Sequence, residues 1–373
     1  MGKTSTDAFF ELVRAGLWEK EVRLSSYGKL DFDEIYRLAS EQSVVGLVAA
    51  GLEKVVDVKV PQSIALTIAG EVLQLEQRNK AMNQYIAKLW ERMKIAGIYS
   101  FLLKGQGIAQ CYKRPLWRAC GDIDLFLDGH NYTKAMLFMS ENASVIEDED
   151  PYIQHLGFIV DSWSVEIHGR LRGGLWKKLD DVLDKIQESV LADGKIRTWD
   201  NSETCISLPG VDEDLFYTFS HILQHFFKGG IGLRQICDWC RLMWMYRDEI
   251  DKNLLKSRLV KAGIWTEWKT FAALSVEVLG IPQETVPFYS NSQKWTRKSE
   301  QVLFFILKSG NFGHNRDFTY KADTIALRRK FLEFIYITKD SVTHFLIFPK
   351  DSLKVWWSQM KGGLKMLVKR RMK

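Results

Sequence analysis

The chain has 373 residues, 46% of them hydrophobic, so it can bury a large core, and roughly two or three domains are expected. Its net charge of +6 has a local origin: Lys361, Lys365, Lys369, Arg370, Arg371 and Lys373 supply it, which leaves residues 1–360 formally neutral and without the compositional mark of a nucleic-acid-binding protein. No run of about 18 apolar residues occurs, which argues against a transmembrane helix, and the scattered Cys111, Cys120, Cys205, Cys237 and Cys240 argue against a disulfide framework.

Asp7, Glu11 and Arg14 interrupt the apolar residues near the N-terminus, so a signal peptide is not expected and a cytoplasmic location is. Residues 1–95 show helical periodicity, as in Ile64, Ala65, Ile68, Val72, Leu73 and Leu75 followed by Ile86, Leu89 and Met93. The stretch Gly97 to Gly107 reads as a buried strand, a glycine turn and then a helix over Ile108 to Tyr112. Glycine there lets backbone N–H groups approach phosphate oxygens, and Lys104 adds a positive charge. The spacing is not that of a P-loop, and taken alone the segment is a plain strand-to-helix turn.

Leu116 to Leu127 carries the most informative pattern. In an extended strand alternate residues share a face, so Asp122 and Asp124 point one way while Ile123, Leu125 and Leu127 point into a core. Adjacent carboxylates repel one another and are costly to desolvate, and a cation between them removes that cost. Oxygen ligands of this kind suit Mg²⁺ bound with substrate phosphates. The plain alternative is an acidic edge strand in solvent. His155 to Val160, Asp161-Ser162 and Trp163 to His168 read as a hairpin with a short polar turn. Glu166 and His168 share one face of its second strand, and Val165 and Ile167 the other. A third carboxylate on a neighbouring strand is what a two-metal phosphoryl-transfer site requires, although a surface Glu would give the same pattern.

Further along, a helix is expected near Leu175 to Leu191 and a strand at Cys205 to Leu208. Asp212 is placed to cap a helix that sets His221 and His225 one turn apart. That spacing can bind zinc, but it lacks the Glu of His-Glu-x-x-His and an evident third ligand; two core or interface histidines are the simpler alternative. Beyond residue 211 the pattern is mainly helical, with Trp265, Trp268, Phe271, Leu274 and Val278 as a buried stripe. Cys237 and Cys240 read as a packed pair, and Gly310 to Asn315 as an exposed loop.

Taken in order, Leu103-Lys104-Gly105, Arg118, Gly121-Asp122-Ile123-Asp124-Leu125, Val165-Glu166-Ile167-His168, His221 to His225, Gly232-Leu233-Arg234 and Asp238-Trp239 form a pattern that resembles the nucleotidyltransferase superfamily of DNA polymerase beta type. More narrowly it is similar to the bacterial family of uncharacterised nucleotidyltransferases. The resemblance implies that Asp122 and Asp124 are the paired metal-binding aspartates and Glu166 the third acidic ligand. It implies that Lys104, Gly105, Arg118 and Gly121 hold the nucleotide and its phosphates. It sets His168, His221, His225, Arg234 and Asp238 as candidates to face the substrate cleft; Asp238, four residues after Arg234, is spaced to fix it by a charge-assisted hydrogen bond. Two departures stand out: Gly105-Gln106 where the superfamily has Gly-Gly or Gly-Ser, and Gly169 where Trp often follows the histidine.

The expected architecture is α+β: a small mixed nucleotidyltransferase-type sheet with flanking helices. A helical N-terminal region is expected over 1–95, the catalytic core over 96–210, a helical C-terminal domain over 211–350 and a basic amphipathic tail over 351–373. The expected reaction moves a nucleoside monophosphate from an NTP such as ATP to an acceptor, with Mg²⁺ or Mn²⁺ as cofactor. The alternatives are a kinase-like γ-phosphoryl transfer and a non-catalytic nucleotide-binding or scaffold protein. The 361–373 tail is a candidate contact for an anionic membrane surface or nucleic acid.

Overall fold

Thr4 and Asp7 form a reciprocal capping box that starts α1 (Ser5–Trp18). In this computed structural model, residues 4–192, 195–311, 338–339, 341–358 and 360 are described. Asp31 caps α2 (Phe32–Glu41), accepting from the Glu34 amide. α1 packs closely on α3 (Val45–Leu52), and glycine makes it possible. A Cβ on Gly16 would sit 2.0 Å from the Leu47 carbonyl oxygen, and one on Gly51 2.1 Å from that of Leu12.

The long helix α4 (Gln62–Ile95, 34 residues) belongs to two cores. Ile64, Ile68 and Val72 join the helical core, while Met82, Ile86, Leu89 and Met93 join the core beneath the sheet. Ala65 and Leu73, expected in the same stripe, are exposed, because only one face of a helix meets each core.

The five-stranded sheet has the order β1 (Phe101–Leu103), β2 (Ile123–Phe126), β5 (Trp163–His168), β4 (His155–Val160) and β3 (Ala143–Ile146). It is mixed: β2 and β5 run parallel and the other neighbours antiparallel. α6 (Gly129–Ser140), capped by Asp128, links β2 to β3. The expected hairpin is present, and Asp161 and Ser162 both adopt positive φ, 50° and 69°, as a two-residue turn of this twist demands. A separate ribbon pairs β6 (Arg197–Asn201), which the sequence reading passed over, with β7 (Thr204–Leu208).

The helix after β1 begins earlier than expected. α5 spans Gly105–Ala109, not Ile108 to Tyr112. Lys104 and Gly105 make the chain reversal themselves, with φ of 49° and 43°, so helical structure starts at once. Gly107 then lies against β7, where a Cβ would meet Leu208 Cδ2 at 2.8 Å.

The rest is helical: α7 (Lys177–Ala192), α8 (Val211–Lys228), α9 (Leu233–Met245), α10 (Lys252–Ala262), α11 (Trp265–Glu277) and α12 (Gln293–Ser309), then helical residues 341–347 and 349–358. α8 starts after Gly210, so Asp212 lies inside its first turn, where its carboxylate accepts from the Asp251 amide instead of capping the helix. The aromatic stripe is core. Phe219 stacks on Trp239 at 5.0 Å between centroids and meets Trp268 edge-on at 4.9 Å. Cys237 and Cys240 are both buried. Gly310 and Asn311 are buried, contrary to the exposed loop expected there. The Asn311 amide donates to Ser43 Oγ and accepts from Gln235 Nε2, which anchors this corner between α9 and the turn after α2. Residues 312–315 and the 361–373 tail lie outside the described residues. Among the described residues, no helix is long and apolar enough to cross a membrane.

Candidate active site

Pairing of β2 with β5 sets Asp124 beside Glu166 in register. Both therefore face one side of the sheet, and Ile123, Leu125, Val165 and Ile167 face the core on the other. Asp122, two residues before Asp124, falls on the same side. One ligand oxygen from each of Asp122, Asp124 and Glu166 lies within 4.8 Å of the others. Asp124 is buried and the other two are half-buried. The charge of Asp124, aided by burial, pushes the Asp122 carboxyl up to about 6.

One ammonium and one imidazole converge on Asp124, and burial lowers the His168 imidazole below its ordinary pKa. Lys104 Nζ and His168 Nε2 lie 3.0 Å and 2.9 Å from its Oδ1. Burial opposes ionisation of Asp124, yet Lys104 and His168 hold its carboxyl well below the usual range. Lys104 also reaches His221 Nε2 at 3.0 Å. Burial, then the Lys104 charge, keeps His221 far below its ordinary pKa and brings His225 down to about 4. Both rings are therefore neutral, and His221 accepts from Lys104 because an ammonium can only donate. His225 Nε2 lies 3.1 Å from His221 Nε2. Two metal-competent groups occur among the described residues, and neither includes His221 or His225.

Arg118 and Asp238 form a buried bidentate pair, Nε to Oδ1 at 3.0 Å and Nη2 to Oδ2 at 2.5 Å. Tyr112 Oη donates to the same carboxylate at 2.8 Å. The expected Arg234–Asp238 pair is thus displaced. Arg118 presents its planar fork to Asp238, and Arg234 Nη1 donates to the Ala119 carbonyl at 2.6 Å. Arg118 Nη1 is buried without a hydrogen-bond partner among the described residues.

These groups line one cavity of about 330 Å³ between the sheet, α5, α8 and α9. Of the expected residues, Lys104, Gly105, Arg118, Asp122, Asp124, Glu166, His168, His221, His225, Arg234 and Asp238 all line it. Gly121 does not: it is exposed, and its carbonyl accepts from Arg78 Nη2 at 3.4 Å. Gln106, at the departure from the Gly-Gly or Gly-Ser pattern, points into the scaffold and donates to Asn79 Oδ1 at 2.8 Å.

The sequence reading missed His155, Tyr217 and Arg172, which also line the cavity. A signal existed for His155. The two-residue hairpin that pairs Val160 with Trp163 pairs His155 with His168 by counting outward. Tyr217 stands one turn before His221 on α8, and Lys104 Nζ lies 5.9 Å from its ring centre. Arg172 had no local signal; its guanidinium is held by Asp184.

Residues 28–280 match the family model of an uncharacterised nucleotidyltransferase. The chain belongs to this nucleotidyltransferase family. The match takes in the whole five-stranded sheet and every residue described above as lining the cavity. No curated protein and no solved structure matches the chain.

Proposed function

We propose that this cleft transfers a nucleoside monophosphate from a nucleoside triphosphate to an acceptor hydroxyl or phosphate, in the manner of the DNA polymerase beta-type superfamily. One observation carries the reading: two carboxylates from paired strands and a third from the residue just before β2 converge within 4.8 Å in a cavity that also holds Lys104. The donor set fits a divalent cation. Its oxygens are hard ligands suited to Mg²⁺ or Mn²⁺, and the mutual repulsion that raises Asp122 is what such an ion relieves. Bound by Asp122, Asp124 and Glu166, the ion would supply charge neutralisation for the triphosphate and for the transition state.

The chain's own groups have distinct tasks in this reading. Gly105, lacking a side chain, lets the backbone approach phosphate oxygens, and Lys104 brings a positive charge to the same end of the cavity. Arg118, with Nη1 free of the Asp238 pair, adds one donor. Glu166 takes the proton of the acceptor hydroxyl as its oxygen bonds to the α-phosphorus and the bond to pyrophosphate breaks. His221, His225 and Arg234 shape the acceptor side.

The test uses nucleoside triphosphates labelled separately at the α- and γ-phosphate, incubated with Mg²⁺, cell extract and the protein beside an Asp124→Asn control. Transfer of α-label that the control abolishes is the expected result, and the labelled product names the acceptor class. Transfer of γ-label instead would replace this reading with a kinase-like one. Triphosphate binding without transfer of either label would favour a binding or scaffold role.

A further inference from the structure

A second group of metal-ligating side chains adjoins the three carboxylates. Strand pairing sets His155 opposite His168, and their ring centres lie 4.8 Å apart. His155 Nε2 points at Glu166, while His168 Nε2 bonds Asp124 Oδ1 at 2.9 Å and passes near the same Glu166 oxygen. Glu166 Oε2 is 2.9 Å from His155 Nε2 and 3.8 Å from His168 Nε2. One ligand atom from each of the three residues lies within 4.8 Å of the others. Glu166 therefore belongs to two groups at once, an all-oxygen set with Asp122 and Asp124 and a nitrogen-rich set with the two histidines.

We infer that His155, Glu166 and His168 form a binding site for a borderline divalent transition-metal ion of the Zn²⁺, Co²⁺ or Fe²⁺ class, adjoining the carboxylate site and sharing Glu166 with it. The inference rests on the nucleotidyl-transfer reading for its role in the cleft, and it gives the two cation positions different preferences.

The chemistry of the donors separates the two sites. Imidazole nitrogen suits Zn²⁺, Fe²⁺ and their neighbours, whereas carboxylate and water suit Mg²⁺. Two imidazoles and one carboxylate leave coordination positions open, as a site that meets substrate requires. Those positions face the cavity, since all three side chains line it. Ordinary hydrogen bonding would explain the His155–Glu166 contact and the His168–Asp124 contact one at a time. That one donor from each of His155, Glu166 and His168 also lies within 4.8 Å of the others is a separate property, the one a shared ion requires. The half-buried setting, with side chains 26%, 26% and 12% exposed for His155, Glu166 and His168, holds the donors in place yet leaves an entry path.

The test is direct metal binding by the full chain. Protein stripped with a chelator is titrated with Co²⁺ alone, then challenged with a large excess of Mg²⁺, and the retained Co²⁺ is examined by X-ray absorption. The expected outcome is one Co²⁺ that Mg²⁺ does not displace and that shows imidazole scattering. His155→Gln should weaken this Co²⁺ by at least about tenfold, and Asp122→Asn should leave it bound. Complete displacement by Mg²⁺, oxygen-only scattering, or unchanged Co²⁺ affinity in a folded His155→Gln variant would each overturn the proposal. Should His155→Gln fail to fold, the scattering of the unmodified protein still decides. Failure of the nucleotidyl-transfer reading looks different: imidazole-bound Co²⁺ with no α-label transfer would remove that reading and leave this site standing. Oxygen-only Co²⁺ with intact Mg²⁺-dependent transfer would do the reverse.

Discussion

Lys104 Nζ lies 3.0 Å from Asp124 Oδ1, and both side chains are largely withdrawn from water, 13% and 2% exposed. A positive charge thus already stands beside the carboxylate proposed to bind a cation. Removing one partner of a buried pair leaves an uncompensated charge and costs about 3–5 kcal/mol. Lys104→Ala should therefore lose stability on that scale when measured by denaturant unfolding in chelator. Added Mg²⁺ should recover more stability in this variant than in the unmodified protein, because a bound ion restores the lost charge. Equal recovery in both proteins would argue against a cation at Asp124.

The Arg118–Asp238 pair supplies a second prediction. Arg118→Met strands Asp238 with Tyr112 as its remaining side-chain donor, and a loss of about 3–5 kcal/mol is expected. Arg118→Met combined with Asp238→Leu should be less damaging than Arg118→Met alone, since no buried charge is left unpaired. A double-mutant cycle from unfolding curves measures the coupling, and additive losses would refute it.

A third prediction concerns pH and lies away from the cleft. Glu267 is fully buried on α11, and burial together with the charge of Asp351 raises its carboxyl well above the ordinary range. The folded state then binds a proton that the unfolded state releases. Stability falls as pH rises from the unfolded carboxyl range through the folded value. Glu267→Gln should remove this component, so the variant should melt higher than the unmodified protein at about pH 8 and lose the difference near pH 4. Parallel melting curves across that range would contradict the assignment.

Gly16 gives a fourth. A methyl group there would sit 2.0 Å from the Leu47 carbonyl oxygen, a backbone atom that cannot swing aside. Gly16→Ala should cost at least about 1–3 kcal/mol by forcing α1 and α3 apart. Gly70→Ala, where nothing lies within 4 Å of the added carbon, should cost nothing by the same unfolding assay.

Alternation explains what was legible in the sequence. Period-two patterning told the face of Asp122 and Asp124 and that of Glu166 and His168, because one face of each strand had to be apolar. The Asp161-Ser162 turn was legible because short polar pairs mark hairpins. Patterning does not tell which strand lies beside which. The parallel match of Asp124 with Glu166 comes from the connection through α6, β3 and β4, and no local signal encodes it. Arg118 and Asp238 are 120 residues apart, so a nearer candidate, Arg234, took the partner's place in the sequence reading. Asn311 looked like a loop residue because its environment comes from Ser43 and Gln235, both distant in the chain.

The helix α4 has a mechanical consequence. At 34 residues it is about 50 Å long, a single rod fixed in one core at its start and in another at its end. Midway along it, the Asn79 amide holds the carbonyls of Leu116 and Arg118, each at 2.8 Å, and receives Gln106 from the helix after Lys104. The rod therefore grips both segments that carry the basic residues of the cleft. A tilt of the N-terminal helices would pass along α4 as along a beam and shift the Lys104 and Arg118 segments together relative to the carboxylates on the sheet.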